Sequence, residues 1–509
     1  MKSSSKQPKI QYNFSGEWDD VSSFLRKYST ENVLKEINKV SIDLFFNKND
    51  SNFKATKRVE FPLYGKRSGI PQKQEAIIMA WALVDLAYYI IKTSNDYRGK
   101  SIEFEQELYM LQIVVDTYKE REESIFLDTN KEEMSTDFFM YIWGFAGEQF
   151  KFQNPKIVFD NFSRDLYMLF ELNDSSKFDT ESVIQKEIGV SWEKVITYLM
   201  MAWYGFTQSS TMKELIEKIT WSDLYIKDEF EQVIKRYTTN YAEIRESDLG
   251  RQLLYAKPFV NTQKGEIVSI SPYLNFFLCE HSVLWLIRDY FNKQDSQDFT
   301  NYFGNLFEKY FSEILNFCLR ENEFERIEET GKDERADWKL IIGEYKFLVE
   351  QKSTIMRLSA KQQQTDIIAI KDFAKRTVIK AMSQLKNTEN QFNDGKYMKI
   401  ILLYEDYLNS ALLDEIANMP ECKVDNDNYF WIVTIEEIEM LLFLAMNDRK
   451  LFNEIIAEKI VREVSHSIAG KSIIQLLNES GIRKNEYIKQ EKFLKYSNIM
   501  QNKVREFLH

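Results

Sequence analysis

Apolar residues recur at three- and four-residue spacing through most of the first half of the chain. This spacing places them on one side of a helix. The predicted helices lie near residues 30–45, 74–93, 103–120, 134–150, 181–204, 212–219 and 222–247. The breaks between them carry turn residues, as in SGIP at 68–71 and FQNP at 152–155. We therefore predict a large α-helical N-terminal domain with a recognition or regulatory role.

The pattern changes near residue 250. AKPFVNTQKGEIVSIS (256–271) predicts a β-hairpin, and PYLNFFLCEHSVLWLIRDYF (272–291) predicts a helix. We expect an α+β multi-domain chain in which a fragment of residues 251–509 keeps its own geometry. The predicted units are a helical domain at 1–250, a hairpin with a connecting helix at 251–295, an α/β core at 296–445 and a helical C-terminal extension at 446–509.

Residues 336–353, ADWKLIIGEYKFLVEQKS, predict a second hairpin with Gly343 and Glu344 at the centre of a type II′ turn. This turn determines which residues face each other across the two strands. The predicted apolar pairs are Ile342–Tyr345, Leu340–Phe347 and Trp338–Val349. They place one face of the hairpin against a core.

The other face of this hairpin carries charge. The same register puts Asp337 directly opposite Glu350, with Lys352 on the same side. Like charges at opposed positions, roughly 4.5–5.5 Å apart between β-carbons, destabilise a hairpin. Mg²⁺ prefers carboxylate oxygens and would remove that repulsion. The alternative is an ordinary surface hairpin on which Arg335, Asp337, Glu350 and Lys352 form a charge ladder.

An Asp followed about a dozen residues later by Glu-x-Lys, across an antiparallel hairpin, resembles the PD-(D/E)XK nuclease superfamily. The neighbouring segments are similar to that family's order of elements, α-β-β-β-α-β-β-α, over about 140 residues. Those segments are a helix at 303–315, a strand at 323–329, a helix at 380–392, a strand at 399–405 and a strand with a helix at 429–442. Ala336 stands where the family name has Pro. The resemblance implies a restriction-endonuclease-like fold for residues 296–445.

The resemblance also implies a chemistry: hydrolysis of phosphodiester bonds, with DNA favoured and RNA left open, and with Mg²⁺ as cofactor and Mn²⁺ as a substitute. Asp337, Glu350 and the backbone carbonyl of Gln351 would hold the metal, and Lys352 would position or activate water. Two further positions match the family's helices. Glu308 would hold a second metal or the water network, and Gln384 would contact the substrate or a bound water.

A basic segment begins in the Glu-Gln-Lys strand. Residues 346–380 contain eight Lys or Arg and three Asp or Glu residues, a net charge of +5. A phosphate backbone would be attracted there, and the alternative is a solvated helix face. The candidate nucleic-acid contacts are Arg357, Lys361, Lys375, Arg376 and Lys380. The net charge of −12 over 509 residues argues against a protein that simply coats DNA.

Scarce histidines and cysteines exclude several other classes. His281, His466 and His509 are far apart, which disfavours HExxH proteases and histidine-based nucleases. The three cysteines show no pairing pattern, which suits a reducing cytoplasm. AIIMAWALVDLAYYII (76–91) is too short for a membrane span, so we predict a buried helix there. No apolar leader precedes it, so we expect no signal peptide.

Two other functions remain open from the sequence. An inactive nuclease fold could serve as a nucleic-acid-binding or regulatory module, and a helical interaction protein could carry the hairpin incidentally. The Gly-Lys-Ser sequences at 99–101 and 470–472 lack the first Gly of a P-loop, so we predict no nucleotide-hydrolysing motor. A helical domain joined to such a nuclease resembles effectors of prokaryotic antiviral defence. The expected partner is nucleic acid, with a protein partner or homo-oligomer as a further possibility and no membrane.

Overall fold

The computed structural model of the chain describes residues 16–46, 55–63, 72–129, 152, 160–176, 178–220, 222–247, 249–293, 298–328, 335–353, 374–392, 394–404, 430–464 and 472–508. Over these residues the protein is mixed α+β, as predicted. Helices dominate the first and last parts of the chain, and a mixed sheet lies between them.

Helices with short strands form the first part of the described chain. Its elements are α1 (Trp18–Leu25), α2 (Thr30–Phe45), β1 (Thr56–Leu63), β2 (Gln72–Met79), α3 (Ala80–Thr93), α4 (Glu105–Thr129), α5 (Asp160–Phe170), α6 (Thr180–Ile188), α7 (Trp192–Gly205), α8 (Met212–Ile219), α9 (Lys227–Arg236), β3 (Thr238–Asn240), α10 (Tyr241–Glu246), α11 (Gln252–Ala256), β4 (Phe259–Asn261), β5 (Ile267–Ser269) and α12 (Pro272–Asn292). The hairpin predicted at 256–271 and the helix that follows it are confirmed.

Three predicted helices differ from the structure. The helix at 74–93 is wrong in its first third, because β2 pairs there with β1 along its whole length. The helix at 181–204 is two helices, separated at Gly189, whose φ of 86° ends α6. The segment 222–247 is interrupted by β3, which pairs with β4. In each case pairing or a cap overrides apolar spacing. The helix predicted at 134–150 lies outside the described residues.

The second part of the described chain holds the strands of the mixed sheet and the helices around it. Its elements are α13 (Asp298–Cys318), a 3₁₀ turn (Glu321–Glu323), β6 (Phe324–Arg326), β7 (Trp338–Ile342), β8 (Tyr345–Lys352), a π-helical turn (Ala374–Ile379), α14 (Lys380–Phe392), β9 (Met398–Leu403), β10 (Phe430–Thr434), α15 (Ile435–Asn447), α16 (Arg449–Val464), α17 (Ile473–Glu479), a 3₁₀ turn (Tyr487–Lys489) and α18 (Glu491–Leu508). Counting only helices and strands that the structure describes, the order from α13 to α15 is the predicted α-β-β-β-α-β-β-α.

Five of the described strands form one mixed sheet, in the order β10-β9-β8-β7-β6. Strands β6, β7 and β8 are antiparallel neighbours, whereas β8, β9 and β10 are parallel. Strand β9 has parallel neighbours on both sides and is rich in Ile and Leu, as expected when helices cover both faces of a sheet. The connection between the parallel strands β8 and β9 includes α14, which lies against one face of the sheet.

Helices cover the two faces of this sheet differently. On one face α13 packs its aromatic side chains against the sheet, with Phe303 4.7 Å from Tyr404 and Phe311 6.0 Å from Trp338 between ring centroids. On the other face α14 makes polar contacts, such as the ion pair of Glu389 with Lys399 at 2.6 Å. One face is therefore a hydrophobic support, and the other is able to carry chemistry.

A buried ion pair joins the N-terminal helix α5 to α15, the helix that follows β10. Arg164 on α5 donates from Nε and Nη2 to the two carboxylate oxygens of Glu439 on α15, each at 2.7 Å. Both side chains are almost completely buried. The Tyr310 hydroxyl and the Asn485 amide also donate to Glu439, so its carboxylate is surrounded by donors. Such a pair is stable only while every partner is present.

These contacts change one expectation. A fragment of residues 251–509 would lose Arg164 and leave Glu439 buried without its cation. It would also lose Asp165, whose carboxylate accepts the hydroxyl hydrogen of Tyr404 at the end of β9. These lost contacts argue against a fragment of residues 251–509 that keeps its geometry. The domain boundary near residue 250 stays a prediction.

The helix α3 starts at Ala80 and lies in the core, with Asp85 buried and bound by Lys119 and Arg251. The first four residues of the apolar run at 76–91 belong to β2 instead. Among the described helices, none has the length and apolar character needed to cross a membrane.

We predict that Arg164→Met lowers the free energy of unfolding by about 3–5 kcal/mol, because it leaves the Glu439 charge buried and unpaired. Urea denaturation of the full chain measures this. Combining it with Glu439→Leu is expected to recover part of the loss, since the second change removes the stranded charge. Lys495→Ala, which breaks an exposed ion pair with Glu171, is the control and is expected to cost less than about 1 kcal/mol.

Candidate metal and catalytic site

The hairpin of β7 and β8 has the predicted register. Trp338 pairs with Val349, Leu340 with Phe347, and Ile342 with Tyr345. Gly343 has a φ of 64°, the conformation that the first central residue of a II′ turn requires. The charged residues Glu350 and Lys352 consequently face α14, while Val349 and Gln351 face α13.

Asp337 departs from the predicted register. The ladder ends at Trp338, and the Asp337 N–H donates to the Val349 carbonyl at 3.1 Å, as in a β-bulge. Its Oδ2 accepts the Gln351 N–H at 2.6 Å, a hydrogen that a regular ladder would direct to the Ala336 carbonyl. The prediction that Asp337 lies directly opposite Glu350 is therefore wrong in detail. Its carboxylate replaces a backbone acceptor at the end of the hairpin.

Glu350 is the most deeply buried member of the site, with 2% of its surface exposed. Its Oε1 accepts from the Lys352 Nζ at 2.5 Å. Its Oε2 is buried and has no hydrogen-bond partner among the described residues. A buried carboxylate oxygen without a partner is costly, so this atom indicates a place where a cation would be stabilised.

Lys352 is held between two elements. In addition to Glu350, its ammonium donates to Oε1 of Gln384 on α14 at 2.8 Å. The Gln384 amide nitrogen donates to the Arg335 carbonyl at 3.2 Å, which determines its orientation. The predicted residue Gln384 thus reaches the site, where it contacts the lysine. Its side chain ties α14 to the segment that leads into β7.

Glu308 lies at the edge of the site. It is an α13 residue, and its carboxylate forms an ion pair with Arg326 on β6. Its negative charge is near enough to raise the pKa of Asp337. Glu308 therefore stays a candidate ligand for a second metal or for the water network. In that role its carboxylate would bind both Arg326 and the metal or water.

Burial raises the pKa of both central carboxyls. The pKa of Glu350 rises to about 8, mainly from burial and also from the negative charge of Asp337, against the opposing effect of Lys352. The pKa of Asp337 rises to about 6, mainly from burial, while its bond from the Gln351 N–H opposes the rise. Both shifts come first from burial, which favours the uncharged form of each carboxyl when no cation is bound.

A divalent cation fits these residues. The donor set consists of hard oxygens, as Mg²⁺ and Mn²⁺ prefer, and one of them is the unpartnered Oε2 of Glu350. The part of the chain that the structure describes contains no cluster of three or more His, Cys, Asp or Glu side chains able to hold a metal. Mg²⁺ commonly uses one or two carboxylates together with waters and phosphate oxygens, so two carboxylates suffice. The Gln351 carbonyl stays a predicted ligand.

The candidate nucleic-acid contacts are only partly described. Arg357 and Lys361 lie outside the described residues. Lys375 and Arg376 are exposed on the π-helical turn that precedes α14. Lys380 is exposed at the start of α14, and its charge acts on Glu350 by lowering its pKa. Lys380 is one helical turn before Gln384, on the same side of the helix, so it lies beside the site.

Two supports of the site were not predicted from the sequence. Thr388 on α14 accepts the Ala336 N–H at 2.8 Å and so fixes the residue before Asp337. For Gln351 only the backbone carbonyl was predicted to have a role, but its side chain bonds to Trp338 and to α13. A signal for the second was present, since an amide in an otherwise apolar row of a strand needs partners.

No family model matches this chain, and no curated protein or solved structure matches it either. The resemblance to PD-(D/E)XK nucleases therefore stays a prediction, and the residues and their geometry are its support.

We predict that Glu350→Gln becomes more stable relative to the wild type as the pH rises from about 5 to about 9 in EDTA. The folded-state pKa of Glu350, about 8, lies above its ordinary value of 4.5. Its contribution to stability is therefore complete below about 4.5 and is lost as the pH rises through about 8. Gln resembles the protonated acid at every pH. Urea denaturation at several pH values measures the difference.

Saturating Mg²⁺ at pH 8.5 is expected to reverse this order, because only the wild type gains binding free energy. A Glu350→Gln protein that is much less stable than the wild type in EDTA at high pH would support the surface charge ladder instead.

Proposed function

We propose that this chain is a Mg²⁺-dependent nuclease that hydrolyses phosphodiester bonds, with DNA as the favoured substrate. The observation that carries the proposal is the meeting of Asp337, Glu350, Lys352 and Gln384 at one end of the β7–β8 hairpin, where a buried oxygen of Glu350 has no partner among the described residues. A surface charge ladder would not require a buried carboxylate with a raised pKa.

The carboxylates of Asp337 and Glu350 would hold the cation. Asp337 is oriented by the Gln351 N–H, and Glu350 presents Oε2 to the site. When bound, Mg²⁺ would supply positive charge against the phosphate and would lower the pKa of a water molecule. Burial first, and then the negative charge of Asp337, raise the pKa of Glu350, and a bound cation would oppose both effects.

Lys352 would act on the water and on the reacting phosphate. Its ammonium already donates to Glu350 and Gln384, which leaves one of its three hydrogens for a further acceptor. Hydrolysis adds the water oxygen to phosphorus and breaks one ester P–O bond, giving a phosphomonoester and an alcohol. Lys352 would orient that water and offset the negative charge that develops on the phosphate oxygens.

Lys380 would bind the substrate backbone beside the reacting phosphate. It is exposed at the start of α14, on the side of the helix that carries Gln384. Lys375 and Arg376 precede it on the π-helical turn and extend the positive charge away from the site. A strand of nucleic acid that follows this charge would place a phosphate near Glu350 and Lys352.

The N-terminal helices would control which substrate reaches the site or which partner binds. Their connection to the sheet through Arg164 and Asp165 means that a change in the helices is able to reach α15 and the end of β9. A role as an effector in prokaryotic antiviral defence follows only by analogy of fold, and the substrate panel below does not depend on it.

We predict that Lys352→Ala lowers Mg²⁺-dependent cleavage by a factor of about 10² to 10⁴, in the range for loss of a positioned proton-handling group. Cleavage is measured on double-stranded DNA, single-stranded DNA and RNA with Mg²⁺, with Mn²⁺ and with EDTA. Lys346→Ala is the matched control, because Lys346 lies on the same face of the same strand but pairs with Asp394 at the far end.

The control should cleave at nearly the wild-type rate, and both variants should unfold near the wild-type urea concentration. Full cleavage by Lys352→Ala would move the activity to other residues. Metal binding by the wild type without cleavage of any substrate would favour the inactive, nucleic-acid-binding alternative.

We predict that Lys380→Ala raises KM for the cleaved nucleic acid and reduces the slope of log K against log salt concentration by about 1, because one phosphate contact is lost. The effect on kcat is expected to be small. Binding to a non-cleavable substrate over a range of salt concentrations measures the slope. An unchanged slope with a lower kcat would mean that Lys380 acts on Glu350 rather than on the backbone.

A further inference from the structure

The side chain of Gln351 bonds to two other elements of the site at once. Its Oε1 accepts from the indole Nε1 of Trp338 at 2.7 Å, and its Nε2 donates to the backbone carbonyl of Phe307 at 3.2 Å. These two bonds are called the Gln351 clamp below. Gln351 is on β8, Trp338 on β7 and Phe307 on α13. The clamp therefore joins three elements with a single side chain.

Each end of the clamp is next in sequence to a residue of the candidate site. Trp338 follows Asp337, and Phe307 precedes Glu308. Gln351 itself lies between Glu350 and Lys352. Its own N–H binds the Asp337 carboxylate. A movement of any one of the three elements would therefore shift acidic groups relative to each other.

We propose that Gln351 is a positioning residue, whose side chain sets the spacing of the Asp337, Glu350 and Glu308 carboxylates for metal binding. The inference rests on the proposed function. Gln351 acts from the face of the sheet opposite Lys352, so its side chain touches neither metal nor substrate. It acts through the backbone that carries the ligands, as groups that orient metal ligands do in other metal sites.

Burial explains why this role needs an amide. Trp338 is 4% exposed and Phe307 is 1% exposed, so water does not readily replace either bond. An apolar residue at 351 would pack against α13 but would leave the indole N–H without an acceptor. One amide supplies an acceptor and a donor in fixed directions, which positions β7 and α13 relative to β8.

The test compares Gln351→Met with Gln112→Met in the full chain. Gln112 is a buried glutamine of α4 that also bonds through both ends of its amide, accepting the Met79 N–H and donating to the Ile77 carbonyl. Both substitutions keep the side-chain volume. Gln351→Met removes two bonds, and Gln112→Met removes three, because the Gln112 Nε2 also donates to Asp116. Gln112 is outside the site, so it controls for a general loss of stability.

Mn²⁺ affinity, measured by electron paramagnetic resonance without any nucleic acid, is the first readout. Gln351→Met is expected to bind Mn²⁺ about 10- to 100-fold more weakly than the wild type, the range for loss of a group that orients ligands. Gln112→Met is expected to match the wild type. Asp337→Asn with Glu350→Gln gives the baseline for binding elsewhere on the chain.

Hydrogen exchange of the Trp338 indole N–H is the second readout and tests the clamp itself. Its signal is assigned in ¹⁵N-tryptophan-labelled protein by its absence in Trp338→Phe. Exchange should be slow in the wild type and in Gln112→Met, and fast in Gln351→Met. Trp338→Phe keeps the bond to Phe307 and should weaken Mn²⁺ binding only a few-fold, which provides a second variant should Gln351→Met not fold.

The outcomes separate the two proposals. Unchanged indole exchange in Gln351→Met overturns the clamp. Faster exchange with unchanged Mn²⁺ affinity overturns the positioning role and leaves the proposed function intact. Wild-type Mn²⁺ binding no tighter than the double-variant baseline overturns the proposed metal site, and the positioning role with it.

Discussion

The register of the β7–β8 hairpin is the constraint on which the site depends. Its two strands pair so that Trp338 meets Val349, and the positive φ of Gly343 permits the turn that holds them there. A slip of one residue would exchange the two faces of each strand. Glu350 and Lys352 would then face the aromatic residues of α13 instead of α14. The turn at Gly343 thus determines that Glu350 and Lys352 lie on the face of the hairpin where the proposed site is formed.

A second constraint keeps the sheet beneath that hairpin in place. Arg164 and Glu439 are buried together, and the N-terminal helices reach the sheet region through this pair. A buried ion pair adds little net stability compared with apolar residues, but it penalises every arrangement in which one partner is missing. It therefore favours one packing of α5 on α15. The same region contains Asp165, which binds Tyr404 at the end of β9.

The site itself gathers two buried carboxyl groups and a lysine on a well-packed support. Aromatic packing of α13 on one face of the sheet allows α14 to bring polar groups to the other. Burial raises the pKa of Glu350 above that of Asp337, so the two carboxyls titrate at different pH values. Separate pKa values within one pair are frequent at functional sites, where a cation or a reacting group completes the charge balance.

The sequence by itself determined the order of elements from α13 to α15 and the residues that meet at the end of the hairpin. Alternation and turn residues depend on neighbours along the chain, so they are readable from the chain alone. It failed at β2 and β3, whose pairing partners are distant in sequence. It was also wrong about the register of Asp337, because the Asp337 carboxylate replaces a backbone acceptor and the regular ladder ends at Trp338.

Only the tertiary structure decided three features of the protein. Glu350 has a buried oxygen without a partner among the described residues, Gln351 bonds to two elements, and Arg164 joins α5 to α15. Those features arise from desolvation and from contacts between distant segments, which no local pattern encodes.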